Sequence, residues 1–274
     1  MGAIRAVRVL SGLFLLRLFV VSCSTDSDSG IVFSTPEVYR AMITVIPQGE
    51  AETVTGAGGE GVFIAGRTVT IPAYTIAVYE TSWELWREVC GWAASHGYKI
   101  ANMGQPAEAG QGTSPVTAIT WRDAIVWCNA YSEMAGLSPV YYAADRVLRE
   151  SVNNTSSKAS DITTAADTAD MELGNKGYRL PLEAEWEFAA RNDAGLGLFA
   201  MSGDIAEWGW DWIHESGITA QTPLTGDGPG NFAHRVIRGG GWTADLDSAY
   251  ITNRNYFRPF SSSPKIGFRA ARSL

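Results

Sequence analysis

The sequence has few cysteines, few charged residues and no long apolar run, and each scarcity excludes a class of protein. Three cysteines in 274 residues are too few for a disulfide framework. Charged residues make up only 18%, which is atypical of a disordered chain. No segment reaches the roughly 20 apolar residues that a membrane-spanning helix needs. A hydrophobic fraction of 46%, with ten residues each of Trp, Tyr and Phe, indicates a folded chain with one large core or two small ones.

Positive charge is also scarce. The formal net charge is −8, and residues 1–22 contain Arg5, Arg8 and Arg17 but no acid, so their removal would change it to −11. No Lys/Arg cluster reverses this balance locally. An acidic surface repels nucleic acid and anionic lipid headgroups. We therefore expect no nucleic-acid partner, and membrane contact only through a lipid anchor.

The N-terminus has the pattern of a secretion signal. Arg5 and Arg8 precede a hydrophobic run over residues 9–21. Ser22, Cys23 and a polar stretch follow this run. This arrangement resembles a bacterial lipobox, which implies cleavage before Cys23 and acylation of that residue. The alternative is an ordinary secretory signal followed by an incidental cysteine. We predict a signal peptide over residues 1–22, a tether over 23–37 and one domain over 38–274, located in the outer envelope or at the cell surface.

Apolar periodicity predicts an α+β domain with two main helices on a small β framework. Helices are expected over residues 82–95 and 121–135, with Thr81 or Ser82 and Thr120 as N-caps. A shorter helix over 182–190 is expected to be begun by Pro181, a residue type that suits the first helical turn. Strands are expected at residues 42–46, 62–64, 69–71 and 74–78. Residues 143–176 read as a long polar insertion. Cys90 and Cys128 fall in helical apolar patterns, which favours buried thiols over a bridge.

Five motifs occur in the order found in a known family. They are, in sequence, residues 115–124, 177–191, 201–208, 238–242 and 266–269. Together they resemble the formylglycine-generating-enzyme (sulfatase-modifying factor) family. The resemblance implies a C-type-lectin-like fold that is rich in loops.

The catalytic cysteines of that family are missing. The resemblance implies a pair of thiols, five residues apart, that hold copper just after the Arg-Gly-Gly motif. The matching positions lie near Ala244 and Ala249, and no cysteine follows Cys128. Alanine offers no thiolate to a soft metal, so copper-dependent oxidation is excluded. We expect no enzyme activity of this kind.

Other candidate chemistry is weak. Asp204 and Glu207 match a family position that can supply calcium ligands, and the alternative is that Glu207 pairs within the core. Leu182 stands where the family commonly has a capping Thr. His96, His214 and His234 are scattered without metal-ligand spacing. The alternating acids Glu183, Glu185 and Glu187 are expected to form a solvated face or to pair with arginines such as Arg179 and Arg191.

The C-terminal segment, defined as residues 243–263, has an unusual composition. It contains no Lys, Glu, Gln, Met or Trp, the residues that asparagine codons randomised at their two adenines cannot encode. Its position between the Arg-Gly-Gly-Gly-Trp and Ile-Gly-Phe-Arg motifs is similar to that of the variable region in target proteins of diversity-generating retroelements, most of all treponemal lipoproteins of that class. The resemblance implies a diversified ligand-binding surface.

Physical reasoning supports such a surface. A framework closed by Trp242 and by Ile266 and Phe268 can hold residues that contribute nothing to the core. Ile251 and Arg254 are expected to be structural, and about half of the others exposed. The predicted contact residues are Thr243, Ala244, Asp245, Asp247, Ser248, Tyr250, Asn253, Asn255, Tyr256, Phe257, Phe260, Ser261, Ser262 and Ser263.

Three functions are compatible with these observations. The first is a surface lipoprotein that binds a protein or glycan ligand through the C-terminal segment. The second is a non-catalytic structural or accessory envelope lipoprotein of the same family. The third, an enzyme of altered chemistry, needs a cluster of titratable groups that the sequence does not show.

Overall fold

The computed structural model describes residues 35, 37–58, 61–151, 164–214, 216–228, 233–240 and 250–274. The helices are a 3-10 helix at Glu37–Arg40, α1 (Trp83–Ser95), α2 (Trp121–Met134), α3 (Glu183–Arg191) and α4 (Asp193–Leu196). The strands are β1 (Met42–Thr55), β2 (Thr68–Ala77), β3 (Gln105–Pro106), β4 (Val116–Thr117), β5 (Tyr141–Ala143), β6 (Arg146–Val147), β7 (Asp170–Met171), β8 (Tyr178–Arg179), β9 (Ala206–Ile213), β10 (His234–Arg238), β11 (Asn255–Phe257), β12 (Ile266–Gly267) and β13 (Ala271–Ser273). The α+β class is confirmed.

Two four-stranded sheets carry most of the β structure. The first has the order β1-β2-β13-β8, and the second has the order β11-β10-β9-β12. In the second sheet β10 is antiparallel to β9 and β11, whereas β12 is parallel to β9. Because β11 lies within residues 243–263, the three residues Asn255–Phe257 of that stretch form an edge strand of the second sheet.

The two main helices begin at the predicted caps. The Ser82 hydroxyl accepts a hydrogen bond from Leu85 N, which starts α1. Thr120 and Asp123 form a reciprocal capping box at α2, where each side chain accepts a bond from the other residue's backbone N–H. Such caps satisfy N–H groups that the helix itself leaves unpaired. After α2 the chain turns at Gly136, whose φ of +71° favours glycine.

The third helix starts differently from the prediction. It begins at Glu183, so Pro181 precedes the first turn instead of lying in it. Leu182 has no side chain that could cap the helix, and two carboxylates replace that function. Asp211 Oδ2 accepts from Glu183 N at 2.6 Å, and Glu185 Oε2 accepts from Leu182 N at 2.9 Å. The buried Asp211 of β9 therefore accepts a hydrogen bond from the first backbone N–H of α3.

Two strand predictions were wrong. Residues 62–64 form no strand, because their backbone groups bond to side chains: Val62 N donates to Glu187 Oε2 and Val62 O accepts from Arg67 Nη1. Residues 69–71 and 74–78 were expected as separate strands, but most of them belong to the single strand β2. Strand β1, the partner of β2, pairs with it irregularly between Ile46 and Ala51.

The core consists of two clusters of buried apolar side chains. One lies around α1, α2 and the second sheet and includes Trp86, Trp127 and Phe268. The other lies between the first sheet and α3 and includes Tyr74 and Trp186. Cys90 and Cys128 are free and buried, which confirms their prediction as buried thiols. Among the described residues, no helix has the length and apolarity needed to cross a membrane.

Candidate functional site

The described part of the C-terminal segment, residues 250–263, points several side chains to solvent. Of the nine predicted contact residues in this part, four are exposed and five are half-buried. Tyr250 and Tyr256 are the most prominent, at 60% and 53% exposure. The other two exposed residues are Asn255 and Ser262; the half-buried ones are Asn253, Phe257, Phe260, Ser261 and Ser263. None of the nine packs fully inward.

The beginning of the segment lies outside the described residues. This applies to the predicted contact residues Thr243, Ala244, Asp245, Asp247 and Ser248, and to Trp242 in the framework. The residues that precede the segment are described as far as Gly240. Gly239 has φ +89°, and a side chain there would stand 3.4 Å from the Trp186 ring. Glycine therefore permits both the turn and the close approach to the core.

Arg254 fixes the segment to the framework. Its Nε and Nη2 both donate to the Glu183 carboxylate, each at 2.7 Å. Ile251 is half-buried against the second core cluster, and its carbonyl accepts from Arg238 Nη2 at 2.7 Å. Both residues are structural, as predicted. Within residues 250–263, Ile251 and Arg254 thus hold the chain to the framework, while Tyr250 and Tyr256 remain exposed.

Arg238 joins this anchor to the centre of α3. Its Nη2 donates to Glu187 Oε2 at 2.6 Å, and its Nη1 lies 3.3 Å from Glu183 Oε1. Glu187 also pairs with Arg191, and Glu185 pairs with Arg179 at 2.6 Å. The three acids of α3 are therefore buried and paired, and the expected solvated face was wrong. The expected pairing with Arg179 and Arg191 is confirmed.

Two acids near the anchor have shifted pKa values. Burial would raise the pKa of Glu183, but Arg254 and Arg238 outweigh it and hold that pKa below its usual value. Burial and the neighbouring Glu183 carboxylate raise the pKa of Asp211 to about 7. Below about pH 7, a charged Glu183 and a protonated Asp211 can therefore coexist.

The far end of the segment rests on a second ion pair. Arg122 donates through Nε and Nη2 to Asp167 at 2.8 and 2.6 Å, and both side chains are buried. The Arg122 guanidinium lies 5.4 Å from the centroid of the Phe260 ring. Ala118 N donates to Ser263 O at 2.9 Å. Phe260 and Ser263 therefore belong partly to the framework.

Sequence reasoning missed an aromatic cluster behind β11. Arg235, which pairs with Phe257 across the sheet, places its guanidinium carbon 3.6 Å from the Trp121 centroid and 3.5 Å from that of Trp212. Burial lowers the pKa of Arg235. Its Nη1 donates to Trp210 O. The richness in Trp was visible in the sequence, but the long-range pairing that creates the stack was not.

The calcium candidates do not form a ligand set in the described residues. Glu207 is buried, its carboxylate accepts from Arg269 Nε and Nη2, and Trp186 Nε1 donates to it at 2.8 Å. Glu207 therefore pairs within the core, which was the alternative to a role as a calcium ligand. Asp204 is exposed and lines a cavity of about 440 Å³ with Glu108 and Lys265. No group of three or more His, Cys, Asp or Glu side chains suited to a metal occurs in the described residues.

The remaining thiols do not fit the family's copper chemistry. Burial raises the pKa of both Cys90 and Cys128 far above the usual value, so neither forms a thiolate readily. They lie on α1 and α2 rather than after the Arg-Gly-Gly motif. The histidines are equally dispersed: His96 stacks on Trp92, His214 bonds Ser216, and His234 contacts the Tyr256 ring at 5.0 Å.

Comparison with known proteins finds a family model and relatives that match this chain. The family model "Sulfatase-modifying factor enzyme 1-like domain" matches residues 31–195 and 192–274. The chaperone protein LppX of Paenibacillus barcinonensis is 26% identical over 76% of this chain and 82% of its own length. The formylglycine-generating enzyme of Streptomyces coelicolor is 27% identical over 35% of this chain and 46% of its own length.

A solved structure shows the same architecture. The variable protein 1 of Treponema denticola superposes with a TM-score of 0.63 at 24% identity, over 85% of this chain and 95% of that protein. At this identity the likeness concerns the fold. It confirms the C-type-lectin-like fold of the formylglycine-generating-enzyme type, with few helices and small sheets.

Proposed function

Because the chain belongs to the family of sulfatase-modifying factor enzyme 1-like domains, we propose that it uses this fold for binding and not for cysteine oxidation. The proposed protein is a lipoprotein, acylated at Cys23, that presents the C-terminal segment to protein or glycan ligands at the cell surface. Retroelement diversification of residues 243–263 would give different copies different ligands. The fold likeness to a treponemal variable protein agrees with this function.

One observation carries the proposal: anchoring and exposure are separated within residues 250–263. Arg254 is bound to Glu183, whereas Tyr250 and Tyr256 are more than half exposed. Aromatic side chains provide large contact areas at a small entropy cost, and Asn and Ser add adaptable hydrogen bonds, as in antibody paratopes. A segment built in this way tolerates changes in its contact residues without loss of the fold.

Two display libraries of the complete chain would test the proposal. The first randomises Tyr250, Asn255, Tyr256 and Ser262, and the second, matched in size, randomises Ile251 and Arg254 together with two buried neighbours, Val236 and Ile237. Both are selected for folded display and then for binding to hen lysozyme as a model protein. We expect folded members and lysozyme binders mainly from the first library. Equal loss of folded display from both libraries would contradict the proposal.

The DNA around the coding sequence provides an independent check of diversification. We expect an imperfect copy of the codons for residues 243–263, differing at adenines, near a reverse-transcriptase gene. If no such copy exists, diversification is excluded, but a fixed ligand-binding surface is not.

A second candidate function is an accessory envelope lipoprotein. It is favoured by the similarity to a protein named as a chaperone, which extends over 82% of that protein. The purified chain would then suppress aggregation of heat-unfolded citrate synthase at equimolar amounts. Suppression that persists after replacement of both Tyr250 and Tyr256 by Ser would favour the accessory function over binding through the C-terminal segment.

A further inference from the structure

A second exposed aromatic surface is formed by residues outside the C-terminal segment. This surface, which we call the Phe199 patch, consists of Val38, Tyr39, Tyr79 and Phe199. Phe199 is 52% exposed and Val38 is 49% exposed. The Tyr79 ring stacks on Phe199 with centroids 4.7 Å apart, and the Tyr39 ring lies 5.6 Å from Tyr79. The three aromatic rings thus form one continuous group rather than scattered exposed residues, and Val38 is the chain neighbour of Tyr39.

The backbone beneath the patch is well supported. Phe199 N donates to Val78 O at 3.0 Å, and Phe199 O accepts from Arg269 Nη2 at 2.9 Å. Val78 N in turn donates to Ala41 O at 3.0 Å. Arg269 is itself fixed by its ion pair with Glu207. The exposure of Phe199 is therefore a property of the packed framework and not of a loosely held loop.

The patch and the C-terminal segment belong to different sheets. Tyr39 precedes β1 and Tyr79 follows β2 in the first sheet, whereas Tyr256 lies on β11, an edge strand of the second sheet. The backbone of Phe199 bonds to Val78, just after β2. A contact made by the patch therefore does not use the strand that carries Tyr256.

The chain enters the described fold at this patch. Thr35 is buried and bonds to Glu88, and the 3-10 helix that follows carries Val38 and Tyr39. Thr35 lies twelve positions after Cys23 in the sequence. A chain of twelve residues spans at most about 40 Å when extended and about 20 Å on average when flexible. A lipid anchor at Cys23 would hold this part of the domain close to the bilayer.

We propose that the Phe199 patch docks on the interface of the membrane that holds the anchor. This inference rests on the proposed acylation of Cys23 and, unlike the sequence-based expectation of membrane contact through the anchor alone, adds a direct protein contact. Aromatic side chains are favoured at the boundary between headgroups and acyl chains. A net charge near −11 after signal removal opposes approach to anionic lipids, so docking is strongest on zwitterionic bilayers. Docking through the patch would leave the C-terminal segment, which belongs to the second sheet, available to ligands.

Fluorescent labelling can measure this docking on the full acylated chain. Single cysteines are introduced by Ser202→Cys, three residues from Phe199, or by Ser262→Cys in the C-terminal segment; both serines are exposed. Cys90 and Cys128 are buried and should not react with a maleimide dye. The proteins are reconstituted in phosphatidylcholine vesicles that contain lipids with a spin label near the headgroup, which quenches nearby dyes.

Label uptake first tests acylation separately. Without an introduced cysteine, an acylated chain takes up no dye under native conditions, because its Cys23 sulfur is blocked. Dye uptake at Cys23 would show that acylation fails, and with it the premise of docking. Where acylation holds, the quenching result concerns docking alone.

The expected result is at least three-fold stronger quenching at position 202 than at 262. Phe199→Ser should reduce quenching at position 202 about two-fold, whereas Tyr256→Ser, a matched change at an equally exposed aromatic residue, should not alter it. Inclusion of 30% phosphatidylglycerol should also weaken quenching at 202. Equal quenching at both positions, or no effect of Phe199→Ser, would overturn the proposal.

Discussion

Arg254 and Tyr256 lie two residues apart in the same segment and have opposite environments. The Arg254 side chain is 17% exposed and bound through two hydrogen bonds to a buried carboxylate, whereas Tyr256 is 53% exposed and contacts the ring of His234. The difference shows how one short segment can be rigid in its backbone and free in its contact residues. The buried ion pairs that provide the rigidity belong to the framework, chiefly to α3.

The largest effect should come from loss of the central arginine of this framework. Arg238→Ala leaves the buried carboxylates of Glu183 and Glu187 without one of their cations and removes the donor to Ile251 O. Breaking a buried pair from one side costs about 3 to 5 kcal/mol. Urea unfolding should show this loss, while Arg258→Ala, an exposed control in the segment, should stay within about 0.5 kcal/mol. Similar values for both variants would mean that the anchor contributes little.

A smaller loss is expected at the edge of the same network. Arg254→Ala removes two charge-assisted hydrogen bonds to Glu183, but Arg238 and solvent still compensate that carboxylate. We expect a decrease of about 2 kcal/mol in the free energy of unfolding. The segment should also become accessible to proteases at residues 250–256, and the same cleavage in the wild-type protein would contradict its rigidity.

The acid beneath the anchor should make stability depend on pH. The pKa of Asp211 is raised from 3.8 to about 7, so the folded protein holds a proton that the unfolded chain releases. The resulting stability is present below about pH 4 and declines as the pH rises to about 7, by up to about 1.4 kcal/mol per pH unit. Asp211→Asn removes this titration while it keeps an oxygen acceptor for Glu183 N. The difference between variant and wild type, measured by urea unfolding, should therefore change between pH 5 and 7 and stay constant above pH 8.

Local signals predicted the parts of this comparison that depend on neighbouring residues. Helices α1 and α2 follow from their apolar spacing and from caps at Ser82 and Thr120, since these interactions span only three or four residues. The structural character of Ile251 and Arg254 was also predicted. The family motifs predicted the fold because they mark its packing elements.

The parts that were missed depend on contacts between distant residues. The acids of α3 alternate as on an exposed face, and only Arg238, Arg254 and the neighbouring strands make them a buried network. Residues 62–64 have the composition of a strand, but the backbone N–H of Val62 donates to Glu187, more than a hundred positions away in the sequence. The Trp stack around Arg235 likewise joins α2, β9 and β10. Periodicity within one element contains no information about such partners.

The smallest effect on stability should come from the exposed aromatic residues of the segment. Tyr250→Ser and Tyr256→Ser should each change the free energy of unfolding by less than about 0.5 kcal/mol, because neither side chain is buried or ion-paired. Phe257→Ser provides the matched contrast. Phe257 is half-buried, and its ring lies 6.1 Å from that of Trp208, so its loss should cost about 2 kcal/mol. Urea unfolding of the three variants measures this contrast. A cost at both Tyr250 and Tyr256 as large as at Phe257 would show that the outward aromatic side chains also hold the fold, and these positions would then not be free to vary.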